Sequence, residues 1–331
     1  MACTFLEGFD DDAIDYYWPF APQASAAWHQ ETGPDSRGKC IEWNQQGNGE
    51  HMWINAGDND EFAFGFRLYL PGGSTTSMQR FLEFGSNGAS TQVITIDGNN
   101  GTTMNIGSTS YTSVTGDTTF TIPTGAWFYL EFHVERTSGT AITLKVYVDG
   151  VLEATWNATQ TTQGDFQAIK MSMSNLFDEW KLDDMYVWSG AVEAEFPYGD
   201  VRVDRILPVG DGAVDDWTAV YTNLDDADPS TSTGTSETVS TSGHQLTLEM
   251  DTPTTPAQHV IAVVYQIYGK GSGRFKPLYR SSGGTTTAAT ERLPVPADWG
   301  MRKVVVNNNP VTATGWTQSD LTDGEFGLEL E

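Results

Sequence analysis

The chain of 331 residues is strongly acidic, with 44 acidic and 17 basic side chains and a formal net charge of −27. A field of this sign repels nucleic acid and anionic lipid, so neither is an expected partner. No uninterrupted apolar run of about 18 residues occurs, so membrane insertion is not expected either. Apolar residues make up 38% of the sequence, and the chain is long for a single core, which favours two domains.

The N-terminal residues, MACTFLEGFDDD, have neither a basic region nor an apolar core. They therefore lack the features of a Sec-type signal, and we expect synthesis in a cytoplasm. Cys3 and Cys40 are the two cysteines of the chain. They could form a disulfide if the first strand lies beside the strand that starts near Lys39; otherwise they are buried thiols. The sequence has no Cys/His cluster with metal-ligand spacing, so a zinc site is not expected.

Short strands are predicted along the first half of the chain. After FLEGFDD they are residues 40–44, 61–70, 80–85 and 91–97. The clusters PGGSTTS, GSNGAS and DGNNG separate them and have the composition of turns. Regular spacing of strands with turn residues between them is typical of a sandwich and not of alternating α/β units.

The clearest pattern lies in residues 127–188. Leu130, Phe132 and Val134 alternate with polar residues, and LKVYV (144–148) repeats the alternation. Asp149 and Gly150 then interrupt the pattern, which predicts a tight hairpin between two half-buried strands. We expect the later segment WKLDDMYVW to return beside the first strand of the chain.

This region resembles the concanavalin A-like or laminin-G-like jelly roll. The resemblance rests on W-x-x-L-E-x-H in one strand, V-D-G at the end of the next, and D-D-x-Y-V in the late strand. It implies a jelly-roll domain that binds sugars, displays loops, or does both.

The second half of the chain begins a new set of elements. Residues 201–207, VRVDRIL, alternate again, and a Ser/Thr-rich acidic stretch follows at 223–243. We interpret this stretch as a long surface excursion within a second domain, because predicted strands flank it. Near the end, Thr317 and Asp320 have the spacing of a capping box, Gly324 ends the helical turn, and EFGLELE is the final strand.

The second half also resembles a C-terminal domain of structural proteins of tailed bacteriophages. The segments that carry this resemblance are RILPVGDGAVDDW (205–217), LDDADPSTS (224–232), VVYQIYGKGSG (263–273), YRSSGG (279–284) and GWTQSDLTDGEFGLEL (315–330). The chain departs from the pattern at Tyr268-Gly269-Lys270, where Ala-Arg-Lys is common. The resemblance implies a place in a virion.

No catalytic residue is predicted. Glycoside hydrolases of the jelly-roll class place carboxylates as E-x-D-x-E on one strand, whereas this chain has Glu131-x-His133-x-Glu135. We expect these three side chains to form the outward polar face of a half-buried strand. The chain also lacks the motifs of acyl transfer and nucleotide chemistry.

Two kinds of ligand site have candidate residues. Calcium prefers carboxylate and carbonyl oxygens in loops, and its weak candidates are Asp58, Asp60, Asp97 and Asp183. Sugar rings stack on exposed flat aromatic side chains, and the candidates that lie in polar sequence are Trp18, Trp28, Trp53 and Trp156. For each of these tryptophans, packing in a core is the competing interpretation.

The sequence thus predicts an all-β protein with two β-sandwich (jelly-roll) domains, residues 1–197 and residues 198–331. The resemblances imply a non-enzymatic structural protein of a tailed-phage virion, displayed as a tail-fibre or baseplate adhesin that binds host glycans. Capsid decoration is the alternative, and a polysaccharide depolymerase is the second alternative. The expected partners are other virion proteins and a host surface glycan. We expect a homotrimer, made in the host cytoplasm and located at the virion surface, with no cofactor besides calcium.

Overall fold

A computed structural model describes residues 2–7, 28–33, 39–43, 48–55, 60–71, 81–85, 92–100, 102–107, 111–138, 140–160, 168–174, 180–217, 221–224, 238–253 and 259–331. The described residues form two compact units, one that ends at Val203 and one that starts at Asp204. Residues 198–203 therefore belong to the first unit. Both units consist of antiparallel β-sheet, as the sequence predicts.

Within the described residues, the first unit has fifteen strands. They are β1 (Ala2–Glu7), β2 (Trp28–Thr32), β3 (Lys39–Trp43), β4 (Asn48–Asn55), β5 (Glu61–Tyr69), β6 (Leu82–Gly85), β7 (Gln92–Asn100), β8 (Thr103–Gly107), β9 (Tyr111–Gly116), β10 (Thr119–Thr121), β11 (Trp127–Ser138), β12 (Ala141–Val148), β13 (Val151–Gln160), β14 (Ala168–Ser174) and β15 (Trp180–Ser189). A nine-stranded sheet has the order β2-β3-β15-β5-β11-β12-β13-β9, with β1 also paired to β15. A six-stranded sheet has the order β10-β8-β7-β6-β14-β4.

The hairpin predicted at Asp149-Gly150 is confirmed. Both residues have positive φ angles, 48° and 76°, and Val148 pairs with Val151 on either side of the turn. Two consecutive residues in the left-handed region match the twist of the strands that they join. On β12 the buried and half-buried residues alternate, as the period of two requires.

The core of the first unit contains aromatic rings from both sheets. Phe62 on β5 lies 5.7 Å from Phe84 on β6, and Phe84 lies 5.8 Å from Phe132 on β11, measured between ring centroids. Phe64 and Phe66 extend the same face of β5 and are fully buried. The seven central residues of β5 are all buried, so its opposite face is covered as well.

The return of the late strand to the first is confirmed, because β1 pairs with β15. Strand β3 pairs with the other end of β15. Cys3 lies opposite Trp188 of β15. Ile41 lies opposite Leu182, so the same register places Cys40 opposite Asp183, five residues away from Trp188. Five residues along a strand span about 16 Å, well beyond the reach of a disulfide. Both cysteines are buried thiols.

The second unit, within its described residues, has eight strands and one α-helix. They are β16 (Pro208–Asp215), β17 (Gln245–Met250), β18 (Val263–Gly269), β19 (Arg274–Arg280), β20 (Thr286–Ala288), β21 (Leu293–Pro294), β22 (Gly300–Val306), α1 (Gln318–Asp323) and β23 (Glu325–Leu330). A six-stranded sheet has the order β16-β17-β23-β19-β20, with β21 also paired to β19. Strands β18 and β22 form a separate two-stranded ribbon.

The ribbon and the sheet of the second unit share one core, in which Tyr265 of the ribbon packs with Tyr279, Trp316 and Phe326. The predicted capping box is present, because Thr317 and Asp320 exchange side-chain to backbone hydrogen bonds at the start of α1. The alternating segment 201–207 is not a strand. The apolar residues of this segment instead pack in the first unit, where Val201 is buried and Val203 is half-buried.

Candidate functional site

The polar face of β11 is not exposed, and this corrects the sequence-based prediction for Glu131 and His133. Glu131 is 0% exposed, and its carboxylate accepts three hydrogen bonds. The Tyr186 hydroxyl donates to Oε1 over 2.8 Å, the Tyr198 backbone N–H donates to Oε1 over 3.0 Å, and the Gly199 N–H donates to Oε2 over 2.9 Å. Burial raises the pKa of Glu131, and the three hydrogen bonds oppose that shift.

The cause of this burial is a segment that follows β15 and crosses the sheet. We call residues 190–203 the covering segment. Glu61 holds its beginning, since the Oε1 atom of Glu61 accepts from the Val192 N–H over 3.2 Å and lies 2.8 Å from His133 Nε2. The His133 ring also packs on Phe196, with 5.5 Å between the ring centroids. A period-two pattern cannot reveal such a cover, because the residues that provide it are more than fifty positions away along the chain.

An ion-pair cluster holds the end of the covering segment. Arg67 on β5 is 6% exposed, and its Nε lies 3.1 Å from Oδ2 of Asp184, while its guanidinium also contacts Asp200. The Oδ1 atom of Asp184 accepts from the Val203 N–H over 2.8 Å. Burial lowers the pKa of Arg67, and the charge of Asp184 opposes this. Three carboxylates, those of Glu61, Glu131 and Asp184, thus each accept a backbone N–H of the covering segment.

Two stacked tyrosines lie beneath the covering segment. The rings of Tyr129 and Tyr186 are 6.5 Å apart and nearly parallel, and Tyr198 packs edge-on against Tyr186 at 5.5 Å. Gly65 on β5 makes room for the pair, because a Cβ at this position would overlap the Tyr186 ring and crowd that of Tyr129. The sequence signal for this arrangement is a glycine inside a strand of otherwise large residues.

These groups have the chemical types of acid–base catalysts, but a substrate cannot reach them. Tyr129, Glu131, His133 and Tyr186 are each 6% exposed or less. Burial raises the pKa of the Tyr129 and Tyr186 phenols well above the ordinary value of 10, and the charge of Glu131 raises it further. The phenols therefore remain neutral hydrogen-bond donors and cannot act as bases near neutral pH. In this arrangement the cluster fastens the covering segment to the sheet.

The surroundings of the two glutamates also differ from those of a hydrolase pair. Glu131 and Glu135 have the four-residue spacing of the E-x-D-x-E motif, but His133 stands where that motif has an aspartate. Glu131 is 0% exposed, and three hydrogen-bond donors already occupy its carboxylate. Glu135 is half-buried, so the two side chains also have different surroundings.

The two calcium candidates whose side chains the structure describes, Asp60 and Asp183, do not lie together. Asp60 is exposed and pairs with Arg136 Nε at 3.0 Å, just before β5 begins. Asp183 lies opposite Arg67, seven residues further along β5, or about 23 Å away. Asp58 lies outside the described residues, as does the side chain of Asp97 on β7. Among the described residues, no group of three or more acidic, histidine or cysteine side chains could hold a metal ion.

The tryptophan candidates give one clear result. Trp156 is 1% exposed and belongs to the core, so its ring is not available to a sugar. It occupies an inward position on β13, opposite the buried Leu144. Trp18 lies outside the described residues. Trp28 and Trp53 belong to β2 and β4, and their side chains lie outside the described part of the structure.

An exposed aromatic pair occurs at a place that the sequence candidates missed. Trp299, in the connection into β22, is 46% exposed and stacks on Tyr268 of β18, with 5.5 Å between the ring centroids. The Nζ atom of Lys270 lies 5.2 Å from the centroid of the Trp299 ring. A sequence signal existed, because Trp299 lies in PADWG, a turn-like segment where a large ring has little to pack against.

The described part of the chain contains no helix that is long and apolar enough to span a membrane.

No protein-family model matches the chain, and no curated protein matches it. Solved structures do align with it, at low sequence identity. An endo-β-1,4-glucuronan lyase from Trichoderma reesei aligns at 12% identity and a TM-score of 0.43, over 57% of this chain and 96% of the lyase. A carbohydrate-binding module from Bacillus subtilis aligns at 13% identity and 0.28, over 52% and 100%. The botulinum neurotoxin type G receptor-binding domain aligns at 10% and 0.38, over 94% and 80%. At these TM-scores the similarities carry no inference about ligand or activity.

Proposed function

We propose that the chain is a non-enzymatic structural protein of a tailed-phage virion, displayed on the particle surface as a tail-fibre or baseplate adhesin. The observation that carries this proposal is that three of the sequence segments resembling phage virion proteins meet at one side chain, Glu325.

Glu325 belongs to the last of these segments and begins β23. Its Oε1 accepts a hydrogen bond of 2.7 Å from Arg280, which belongs to the YRSSGG segment. Its Oε2 accepts from the backbone N–H of Ala213, in the VGDGAVDDW part of the first segment, over 2.7 Å. The Thr247 hydroxyl donates to the same Oε2 over 2.6 Å. One carboxylate thus joins β16, β17 and β19 to β23.

The glycines and aromatic residues of these segments also have structural roles. A Cβ at Gly212 would overlap the backbone carbonyl of Thr247, so the GDG segment allows β16 to approach β17 closely. Trp316 packs edge-on against Tyr279 at 5.1 Å, and its ring N–H donates to the Val306 carbonyl over 2.8 Å. The segments therefore belong to one domain, as the resemblance to the phage proteins implies.

Binding without catalysis is the mode of action that the first unit supports. Its acid–base side chains are sealed under the covering segment, and His133 stands where the E-x-D-x-E motif of a glycosidase has an aspartate. We propose that host glycans and other virion proteins bind the outer surfaces of the molecule. Capsid decoration remains the alternative position in the particle.

An electron cryo-microscopy map of the intact particle tests the proposal. Density for the chain on the tail or baseplate is the expected result; density on the capsid lattice would assign the decoration role. The absence of the chain from purified particles would refute both. A parallel incubation with host polysaccharide, followed for released reducing ends and for unsaturated products, tests the depolymerase. Activity there would overturn the non-enzymatic assignment.

A further inference from the structure

The polar faces of strands β11, β12 and β13 form one continuous surface. The strand register places nine of its side chains in three rows: Glu135, Thr143 and Asn157; His133, Lys145 and Thr155; Glu131, Tyr147 and Leu152. Rows on one face of a strand are about 7 Å apart and neighbouring strands about 4.8 Å apart, so the surface measures about 14 Å by about 10 Å.

The covering segment closes the β11 part of this surface. Glu131 and His133 are buried beneath it, and its Phe196 ring borders Tyr147 edge-on, with 5.3 Å between the ring centroids. The side chains beyond this border are half-buried or exposed. We call six of them the strand patch: Glu135, Lys145, Tyr147, Leu152, Thr155 and Asn157.

The polar groups of the strand patch have hydrogen-bonding capacity that the fold does not use. Among the described residues, Lys145 and Glu135 make no ion pair and no side-chain hydrogen bond. The Oδ1 atom of Asn157 accepts from the Thr143 hydroxyl over 2.9 Å, which orients the amide. The two N–H donors of that amide have no partner within the described part of the chain. The hydroxyl of Thr155, opposite Lys145, can both donate and accept.

One end of the strand patch is apolar. Tyr147 and Leu152 lie directly opposite each other on β12 and β13, and Leu152 is 50% exposed. Lys145 is half-buried although its side chain is long, which indicates that neighbouring groups rise beside it and that the patch is a shallow recess. Small-molecule sites combine an apolar surface with a few convergent polar groups in this way.

We propose that the strand patch binds a neutral hexopyranose chain. The C–H groups of one sugar ring pack on Tyr147 and Leu152, and the hydroxyls of the neighbouring ring exchange hydrogen bonds with the polar rows. A sugar hydroxyl donates and accepts, so a polyol satisfies the Lys145 ammonium and the Glu135 carboxylate together.

The charge of the chain favours a neutral sugar over an acidic one. The charges of Lys145 and Glu135 cancel, and the net charge of −27 repels an anionic polysaccharide. This inference rests on the proposed function in one respect, namely that the first unit binds glycans without cleaving them.

Isothermal titration calorimetry of the full chain tests the site. The probes are linear hexasaccharides of glucose, mannose, galactose and N-acetylglucosamine, with mannuronate hexasaccharide as the acidic counterpart. We expect at least one neutral probe to bind, with an affinity that salt leaves nearly unchanged, and the acidic probe to bind more weakly.

Two variants remove donors from the strand patch. Lys145→Met and Asn157→Leu should each weaken binding of the neutral probe about tenfold, because each removes hydrogen bonds to the sugar. The matched control is Asn308→Leu, the same replacement at an exposed asparagine of the second unit, and it should leave the affinity unchanged. Circular dichroism and an unchanged unfolding midpoint would show that each variant is folded.

Three outcomes would overturn the proposal: no binding of any neutral probe, tighter binding of the acidic probe, or binding that both patch variants leave unchanged. Loss of binding in Trp299→Ala alone would assign the sugar to the exposed aromatic pair instead. A chain that is seen on the particle but binds no neutral probe would refute the strand patch and leave the virion assignment intact. Binding that Lys145→Met weakens, by a chain absent from particles, would do the reverse.

Discussion

Replacement of Glu131 by alanine is expected to release the covering segment from the sheet. The Glu131 carboxylate accepts from the Tyr186 hydroxyl and from the N–H groups of Tyr198 and Gly199. A buried donor that loses its acceptor costs about 1–3 kcal/mol. Tyr198 and Gly199 are half-buried, so water can reach their N–H groups in part. The loss of the acceptor should therefore cost each of these two N–H groups an energy near the lower limit of that range. The first unit should therefore lose about 3–5 kcal/mol of unfolding free energy.

Glutamine at position 131 should also destabilise the unit, although by less. Both oxygens of the native carboxylate act as acceptors, whereas an amide offers one acceptor and one donor. The amide nitrogen would therefore face an N–H or a hydroxyl donor. We expect a loss of about 1–3 kcal/mol from Glu131→Gln.

Chemical denaturation followed by tryptophan fluorescence measures the change, and hydrogen exchange locates it. The Tyr198 and Gly199 amides should exchange much faster in Glu131→Ala than in the wild-type chain. Glu135→Ala is the control on the same strand, and it should change the stability by about 0.5 kcal/mol or less. Equal, small effects of Glu131→Ala and Glu135→Ala would refute the role given to the buried carboxylate.

Three further changes test other parts of the structure. Arg67→Ala leaves the Asp184 carboxylate buried without its cation and should cost the first unit about 3–5 kcal/mol in chemical denaturation; an effect below 1 kcal/mol would contradict this. Glu325→Ala removes the acceptor that joins four strands and should lower the stability of the second unit by about 3 kcal/mol or more, whereas unchanged denaturation would contradict the central role of Glu325. Arg292 lowers the pKa of Glu331 from 4.5 to about 2. The contact between these two side chains therefore stabilises the folded state fully above pH 4.5, and this contribution is lost as the pH falls toward 2. The melting temperature of Glu331→Gln should therefore depend less on pH in that window than that of the wild-type chain, and an identical pH dependence would contradict the contact.

Local patterns were sufficient to predict the strands and turns of the β11–β13 region. Asp149 and Gly150 adopt the positive φ angles that a two-residue hairpin requires, and few other residue pairs adopt them easily. The capping box at Thr317 is equally local, because it involves residues three positions apart. Such features depend on short-range geometry and can be predicted without knowledge of the rest of the chain.

The candidate site residues were harder to predict, because exposure depends on distant segments. Trp156 lies in polar sequence, yet its position on β13 turns the ring into the core. Trp299 lies in an ordinary turn, yet the ribbon leaves almost half of its surface exposed. In both cases the chemical type of the residue was visible in the sequence, whereas its accessibility was not.

The sequence by itself determined the all-β class, the tight turn at Asp149-Gly150, and the alternation of buried and half-buried residues along β12. Only the tertiary structure decided which polar face is buried. Glu131 and His133 have the pattern of outward residues, but residues 190–203 cross that face and supply the N–H donors that make burial of a carboxylate tolerable. The physical reason is that period-two alternation only separates the two faces of a strand. Whether a polar face is exposed or buried, and whether its buried groups find hydrogen-bond partners, depends on which remote segment packs against it.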